Sequence, residues 1–138
     1  LAALTADPDR VVFHNGVTDA EYDALLRRAT ALVTLSKAEG YGLPIIESMA
    51  TGTPVIAADT PIFREVSGGA ALLVDPDSPQ EFAGAVRRLS DPERWRKASA
   101  AGLVRAAEYD WEASAKQLLE AAEEAASLFT ARTRRANR

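Results

Sequence analysis

The chain has 138 residues, 47% of them hydrophobic, with a formal net charge of −4 at pH 7; this is one domain's worth of sequence with enough apolar content for a real core, and its acidity argues against nucleic acid as the main partner. It carries no cysteine and one histidine, which excludes a disulfide framework and a thiolate metal site and leaves little to hold zinc. No apolar run approaches the ~18 residues that a membrane span needs, the opening Leu1-Ala2-Ala3-Leu4-Thr5 does not read as a signal peptide, and the lack of an initial Met is expected of a piece of a longer protein.

Ala6-Asp7-Pro8-Asp9-Arg10 reads as a polar turn, and Val11-Val12-Phe13 as a short buried strand closed by Asn15-Gly16. Thr18 and Glu21 form a capping box before a helix whose apolar face is Tyr22, Leu25, Leu26 and Ala29. Ala31–Leu35 is aliphatic and short enough for a buried strand. Glu39 follows, then a turn bared by Gly40 and Gly42, then a helix that Pro44 suits at its start and Gly52 at its end. The strand 54–58 comes next. Thr60-Pro61 opens a short helix through Glu65, which Gly68-Gly69 breaks, and Ala71–Val74 is another strand, stopped by Asp75-Pro76. Ser78 to Glu81 is a second capping box, with Phe82, Ala85, Val86 and Leu89 as the stripe behind it. Asp91 caps a helix that buries Trp95, and Asp110 caps a last one with the stripe Ala115, Leu118, Leu119 and Ala122. Residues 1–128 form the domain, and 129–138, rich in arginine, a basic tail that frays. Strands that alternate with helices predict an α/β fold, a parallel sheet flanked by helices, with ligands at the carboxyl ends of the strands.

The turn at Gly40–Leu43 lies at such an end. The first amides of a helix have no internal partner, and its dipole adds positive charge, so a phosphate over Gly42 and Leu43 meets free donors. Glu39 just before the turn and Glu47 about one helical turn past Pro44 bracket it. Carboxylates repel phosphate and accept from hydroxyls. Phosphate donors between two hydroxyl acceptors describe a sugar-nucleotide site, one acid for the sugar and one for the ribose. A strand–turn–helix unit with no ligand, its glutamate a mere dipole partner, is the other reading of the same spacing.

Glu39 and Glu47, with seven residues between them, set in E-G-Y-G-L-P-I-I-E-S-M-A-T-G-T-P-V-I, resemble the E-x7-E signature of the family 4 retaining glycosyltransferases of GT-B fold. The likeness extends from about Val11 to about Glu120 through V-V-F-H-N-G-V, D-T-P-I-F-R-E-V, L-L-V-D-P-D and the late Y-D-W. It implies part of the C-terminal, donor-binding half of a GT-B enzyme, with a Rossmann-like sheet, which moves a sugar from a UDP-, GDP- or ADP-sugar to an acceptor hydroxyl in polysaccharide or glycoconjugate synthesis. In that family, positions matching Glu39 act on the donor sugar as the catalytic-side acid, Gly40, Tyr41, Gly42 and Leu43 offer amides to sugar and diphosphate, Glu47 takes the ribose, and the segment of Val17 borders the base. No cofactor and no metal are implied: the turn has no Asp-x-Asp pair, and the pairs Asp7/Asp9 and Asp75/Asp77 span prolines in plain turns. The acceptor, a glycan or lipid-linked sugar, belongs to an N-terminal domain that this chain lacks, as it lacks the Arg and Lys that grip the diphosphate, so the chain alone is expected to be inactive. The family implies a cytoplasmic protein, and the terminal arginines add a route to peripheral contact with the inner membrane face. A non-catalytic nucleotide-sugar-binding module, or a structural α/β domain with an idle turn, are the competing readings.

Other residues read more plainly. His14 reads as structural, Lys37 as solvated or within reach of phosphate, Arg64-Glu65 as a surface or hinge pair, and Tyr109 and Trp111 as packing residues that dock the last helix.

Overall fold

The computed structural model describes residues 11–136, with side-chain surroundings through residue 129. The predicted turn at 6–10 lies outside the described residues. The elements are α1 (Asp19–Arg28), β1 (Leu32–Thr34), α2 (Leu43–Ala50), β2 (Val55–Ala58), α3 (Pro61–Ser67), β3 (Leu72–Val74), α4 (Pro79–Leu89), α5 (Pro92–Ala106) and α6 (Trp111–Ala136).

The three strands form one parallel sheet in the order β1-β2-β3, with Leu32 opposite Val55 and Ile56 opposite Leu72. β2 is buried along its whole length, as a central parallel strand of Val, Ile and Ala must be. Its alternation feeds two cores. Val55 and Ala57 pack with Ile45, Met49, Phe63 and Val66 from α2 and α3, whereas Ile56 packs with Val74, Ala85 and Leu89 toward α4. Helices therefore cover both faces, as the alternation of elements predicts.

Helix starts follow their caps. Thr18 Oγ1 accepts from Glu21 N at 3.3 Å while Glu21 Oε2 accepts from Thr18 N at 2.8 Å, the reciprocal box expected at α1. At α4 only half of the box forms. Ser78 caps Glu81 N, but the Glu81 carboxylate turns to Asp75 N at 2.8 Å and ties the end of β3 to the helix instead. Asp91 caps α5 through Glu93 N and Arg94 N, and Asp110 caps α6 through Glu112 N and Ala113 N.

Three expectations change. Val11–Phe13 forms no strand, and Val12 and Phe13 are exposed, because the open edge of β1 has no neighbour among the described residues. Val86 lies outside the core stripe of α4, 41% exposed. The stripe of α6 is not buried at all: Leu118 and Leu119 are 73% and 59% exposed, since no described element packs over it. Helix α6 is described through Ala136, and the strong helix formers Ala131, Arg132, Arg134, Arg135 and Ala136 make up most of the stretch after residue 128.

Buried polar groups lock α1 and α2 to the sheet. Thr53 Oγ1 donates to Leu26 O at 2.7 Å, and Ser48 Oγ donates to Thr53 O at 3.1 Å. On the other side α5 crosses α2 where Gly102 leaves room for Met49: a Cβ at Gly102 would stand 3.2 Å from Met49 Cγ. The helix that carries Glu47 is therefore held on two sides.

Candidate functional site

The turn between β1 and α2 is shaped by one glycine rather than two. Gly42 is the N-cap of α2 at φ 83°, a left-handed conformation, with its Cα close against Phe63. Gly40 has ordinary φ and open space where a Cβ would be. Gly42 makes no side-chain cap, Pro44 has no N–H to satisfy, and Ile45 N turns back to Gly42 O at 3.0 Å. Among the described residues no protein acceptor meets the amides of Tyr41, Gly42 or Leu43. The helix thus opens on bare donors at the carboxyl end of β1, which suits an anion.

Glu47 shares one hollow, of about 260 Å³, with Tyr41 and Leu43 from the turn and with Tyr109, Asp110 and Trp111 from the start of α6. The phenol of Tyr22, half-buried on α1, faces the same acid. Burial first, then the negative charge of Glu47 and hydrogen bonding with it, push the Tyr22 pKa above its ordinary value. Sequence reasoning placed Tyr22 only in an apolar stripe; the signal available was that a half-buried Tyr needs a partner for its hydroxyl. Glu39 is exposed on the loop before the turn and lies outside this hollow. Val17 lies outside it too, beside His14 and Leu25 in a second hollow of about 230 Å³.

The other charged groups at the strand ends are paired. Lys37, after β1, donates to both carboxylate oxygens of Asp77 at 2.6 Å, reaching across to the loop after β3. Arg64 forks onto Asp59, after β2, with Nε 2.5 Å and Nη2 2.7 Å from the two oxygens. That pairing holds the Asp59 carboxyl below its usual range. Among the described residues no cluster of His, Asp and Glu could hold a metal ion, and no helix is long and apolar enough to cross a membrane.

The wall at Tyr109 is built by Arg105. Its Nε donates to Val66 O at 2.9 Å and its Nη2 to Glu65 O at 2.7 Å, closing the carbonyl end of α3, while Nη2 also reaches the Tyr109 hydroxyl at 2.9 Å. Tyr109 in turn donates to Val66 O at 3.1 Å, and the guanidinium lies 5.0 Å from its ring centroid. One side chain on α5 thereby fixes the end of α3 and the entrance to α6.

The parallel α/β sheet flanked by helices is the architecture of a GT-B type glycosyltransferase domain, as its likeness to a solved enzyme of that architecture shows. The chain belongs to the glycosyl transferases group 1 family, which it matches over residues 2–103. It is similar to the O-antigen chain mannosyltransferase RfbU of Salmonella typhimurium, 42% identical over 81 residues, 59% of this chain and 23% of that protein. The D-inositol 3-phosphate glycosyltransferase of Frankia alni is 38% identical over 122 residues, 86% of this chain and 30% of that protein. Among solved structures, the sucrose-phosphate synthase of Thermosynechococcus elongatus superposes with a TM-score of 0.71 at 36% identity, over 89% of this chain and 31% of that one. The chain thus spans less than a third of the length of each of these three relatives.

Proposed function

We propose that this chain is the nucleotide-sugar-binding part of a retaining glycosyltransferase, which moves a sugar from a nucleoside diphosphate sugar to an acceptor hydroxyl. The observation that carries this is the set of unpartnered amides at Tyr41–Leu43 beside Glu47. In the proposal the diphosphate rests on those amides, Glu47 accepts from the ribose hydroxyls, and Glu39 accepts from hydroxyls of the donor sugar. The diphosphate gains charge as the glycosidic bond breaks, and fixed amide dipoles at a helix start stabilise that developing charge more than the ground state. Val17 borders the base through the loop before α1.

No metal is needed in this scheme, because helix-start amides do the work of a cation, and sugar transfer by the longer enzyme is expected to survive chelation. The acceptor is a glycan or lipid-linked sugar held mainly by another domain, so the isolated chain binds donor weakly and transfers nothing. Calorimetric titration with UDP-, GDP- and ADP-sugars tests the reading. The Salmonella relative is named a mannosyltransferase, so a nucleoside diphosphate mannose comes first. One donor is expected to bind, and Glu47→Ala to weaken it roughly tenfold or more, since it strips two hydroxyls of their charged acceptor. Equal heats for wild type and Glu47→Ala would sink the proposal.

A further inference from the structure

The amino end of the sheet carries a charged hollow of its own. Residues 69–71 lead into β3, whereas the turn at Tyr41–Leu43 follows β1. The strands are parallel, so the two places lie at opposite ends of the sheet. The hollow measures about 380 Å³ and is lined by residues 69–72, by Arg88 near the end of α4, and by Arg94 and Lys97 on α5. Three cations line it and no carboxylate does, in a chain whose formal net charge is −4.

Arg27, Lys37, Arg64, Arg105 and Lys116 are each ion-paired, but among the described residues Arg88, Arg94 and Lys97 have no such partner. The acids between them in sequence, Asp91 and Glu93, do not line the hollow, and Asp91 Oδ1 is taken by Glu93 N and Arg94 N at 3.0 and 2.9 Å. Arg94 and Lys97, three positions apart, share one face of α5. The floor is apolar, built of Leu72, Leu89 and Ala98, and low polarity on one side strengthens every charge interaction above it. Like charges gathered there repel, and an anion between them relieves the repulsion. The Gly69 amide adds a donor: it meets no protein acceptor among the described residues.

We propose that this hollow is a phosphate site, in which Arg88, Arg94 and Lys97 hold one phosphate group at the amino end of the sheet. A phosphate has up to two charges and several oxygens to share among three cations, and its oxygens suit the fork of a guanidinium; a lone carboxylate has one charge and two oxygens. At about 380 Å³ the hollow also has room for a small organic group esterified to the phosphate, resting on the apolar floor. Two sources supply that chemistry, the headgroup of an anionic phospholipid and a soluble phosphate ester. The site owes nothing to the donor turn, which lies at the other end of the strands.

The test titrates the 138-residue chain with inorganic phosphate and with glycerol 3-phosphate at constant ionic strength, and follows the amide NMR signals of residues 69–72. A second arm floats the chain with vesicles of phosphatidylglycerol and phosphatidylcholine, and with phosphatidylcholine alone. The amide shifts are expected to saturate in roughly the millimolar range, with Arg88→Gln, Arg94→Gln and Lys97→Gln each weakening binding roughly three- to tenfold. Lys97→Arg should keep it. Arg96→Gln removes the same charge from the same helix but lies outside the lining, and should change binding by no more than about twofold, since salt screens a charge that makes no contact. All these positions are exposed, so the variants fold, and their heats with nucleotide sugars should match wild type, which keeps failure here apart from failure of the donor reading. Saturation by the soluble probes assigns the site to a free phosphate ester. Flotation on phosphatidylglycerol alone, lost in the triple Gln variant, assigns it to a headgroup. No response to any probe, or an equal loss in Arg96→Gln and Arg94→Gln, overturns the inference.

Discussion

Gly42 and Tyr22 show how single residues set up the acid at position 47. Gly42 holds φ 83° while its missing Cβ would stand 3.2 Å from Phe63 Cε1. Gly42→Ala therefore meets both backbone strain and a buried ring, and is expected to cost about 1–3 kcal/mol. Gly40→Ala, at ordinary φ and in open space, should change stability by no more than about 0.5 kcal/mol. Urea melts of the two variants make the comparison, and equal losses would show that the turn does not depend on Gly42. Tyr22 is argued from its raised pKa. Its neutral form is favoured in the folded chain, so its contribution is complete below the unfolded value near 10, and is lost as pH rises through the folded value. Phenolate absorbance during an alkaline titration should show a late component that Tyr22→Phe removes, and the variant's stability should fall less steeply above pH ~10. Neither fact could be read from spacing: both glycines look equally free in sequence, and Tyr22 sits in a helical stripe where Leu would serve.

At the level of elements, the site depends on how α5 grips its neighbours. Arg105 closes α3 and anchors Tyr109, and a Cβ on Gly68 would come within 2.7 Å of Arg105 Nε. Arg105→Met leaves two helix-end carbonyls without their charged donor, a loss of about 1–3 kcal/mol in thermal or urea unfolding. Arg105→Lys should recover only part of this, since one ammonium does not span Val66 O, Glu65 O and the Tyr109 hydroxyl together. Gly68→Ala displaces the same guanidinium, so the double variant should lose less than the sum of the singles. Additive losses would mean that Arg105 acts on α3 and Tyr109 independently of that contact. The sequence made the helices themselves legible, through Thr18, Ser78, Asp91 and Asp110 as caps and through Pro at the starts. It did not reveal this clamp, because Arg105 meets Glu65 and Val66 some forty positions away, and no local pattern encodes a contact of that range. The half-formed box at α4 has the same origin, a tertiary pull of Asp75 N on Glu81 that spacing alone cannot show.

For the molecule as a whole, the question is where its stability resides. Both cores lie between Ala31 and Ala106, and every described residue of α6 is exposed through position 129. Periodicity marks Leu118 and Leu119 as core as strongly as it marks Leu89, yet only Leu89 is buried, 4% exposed against 73% and 59%. Amphipathic spacing states that a helix has an apolar face, not that the partner of that face lies within the same 138 residues. The segment from β1 through α2 was legible because its parts are local: a strand, a turn, a helix. The exposure of α6 was not, because no local pattern tells whether another element among residues 11–129 packs over it. Replacing Leu118 and Leu119 together by Glu is therefore expected to shift the unfolding free energy of this chain by no more than about 0.5 kcal/mol. Ile56→Ala, in the middle of the central strand at 0% exposure, should cost about 2–5 kcal/mol. Chemical denaturation of the three proteins decides the matter. If the double Glu variant loses as much as Ile56→Ala, α6 is packed in solution, and the wall that Trp111 gives to the hollow beside Glu47 is part of the core rather than its open rim.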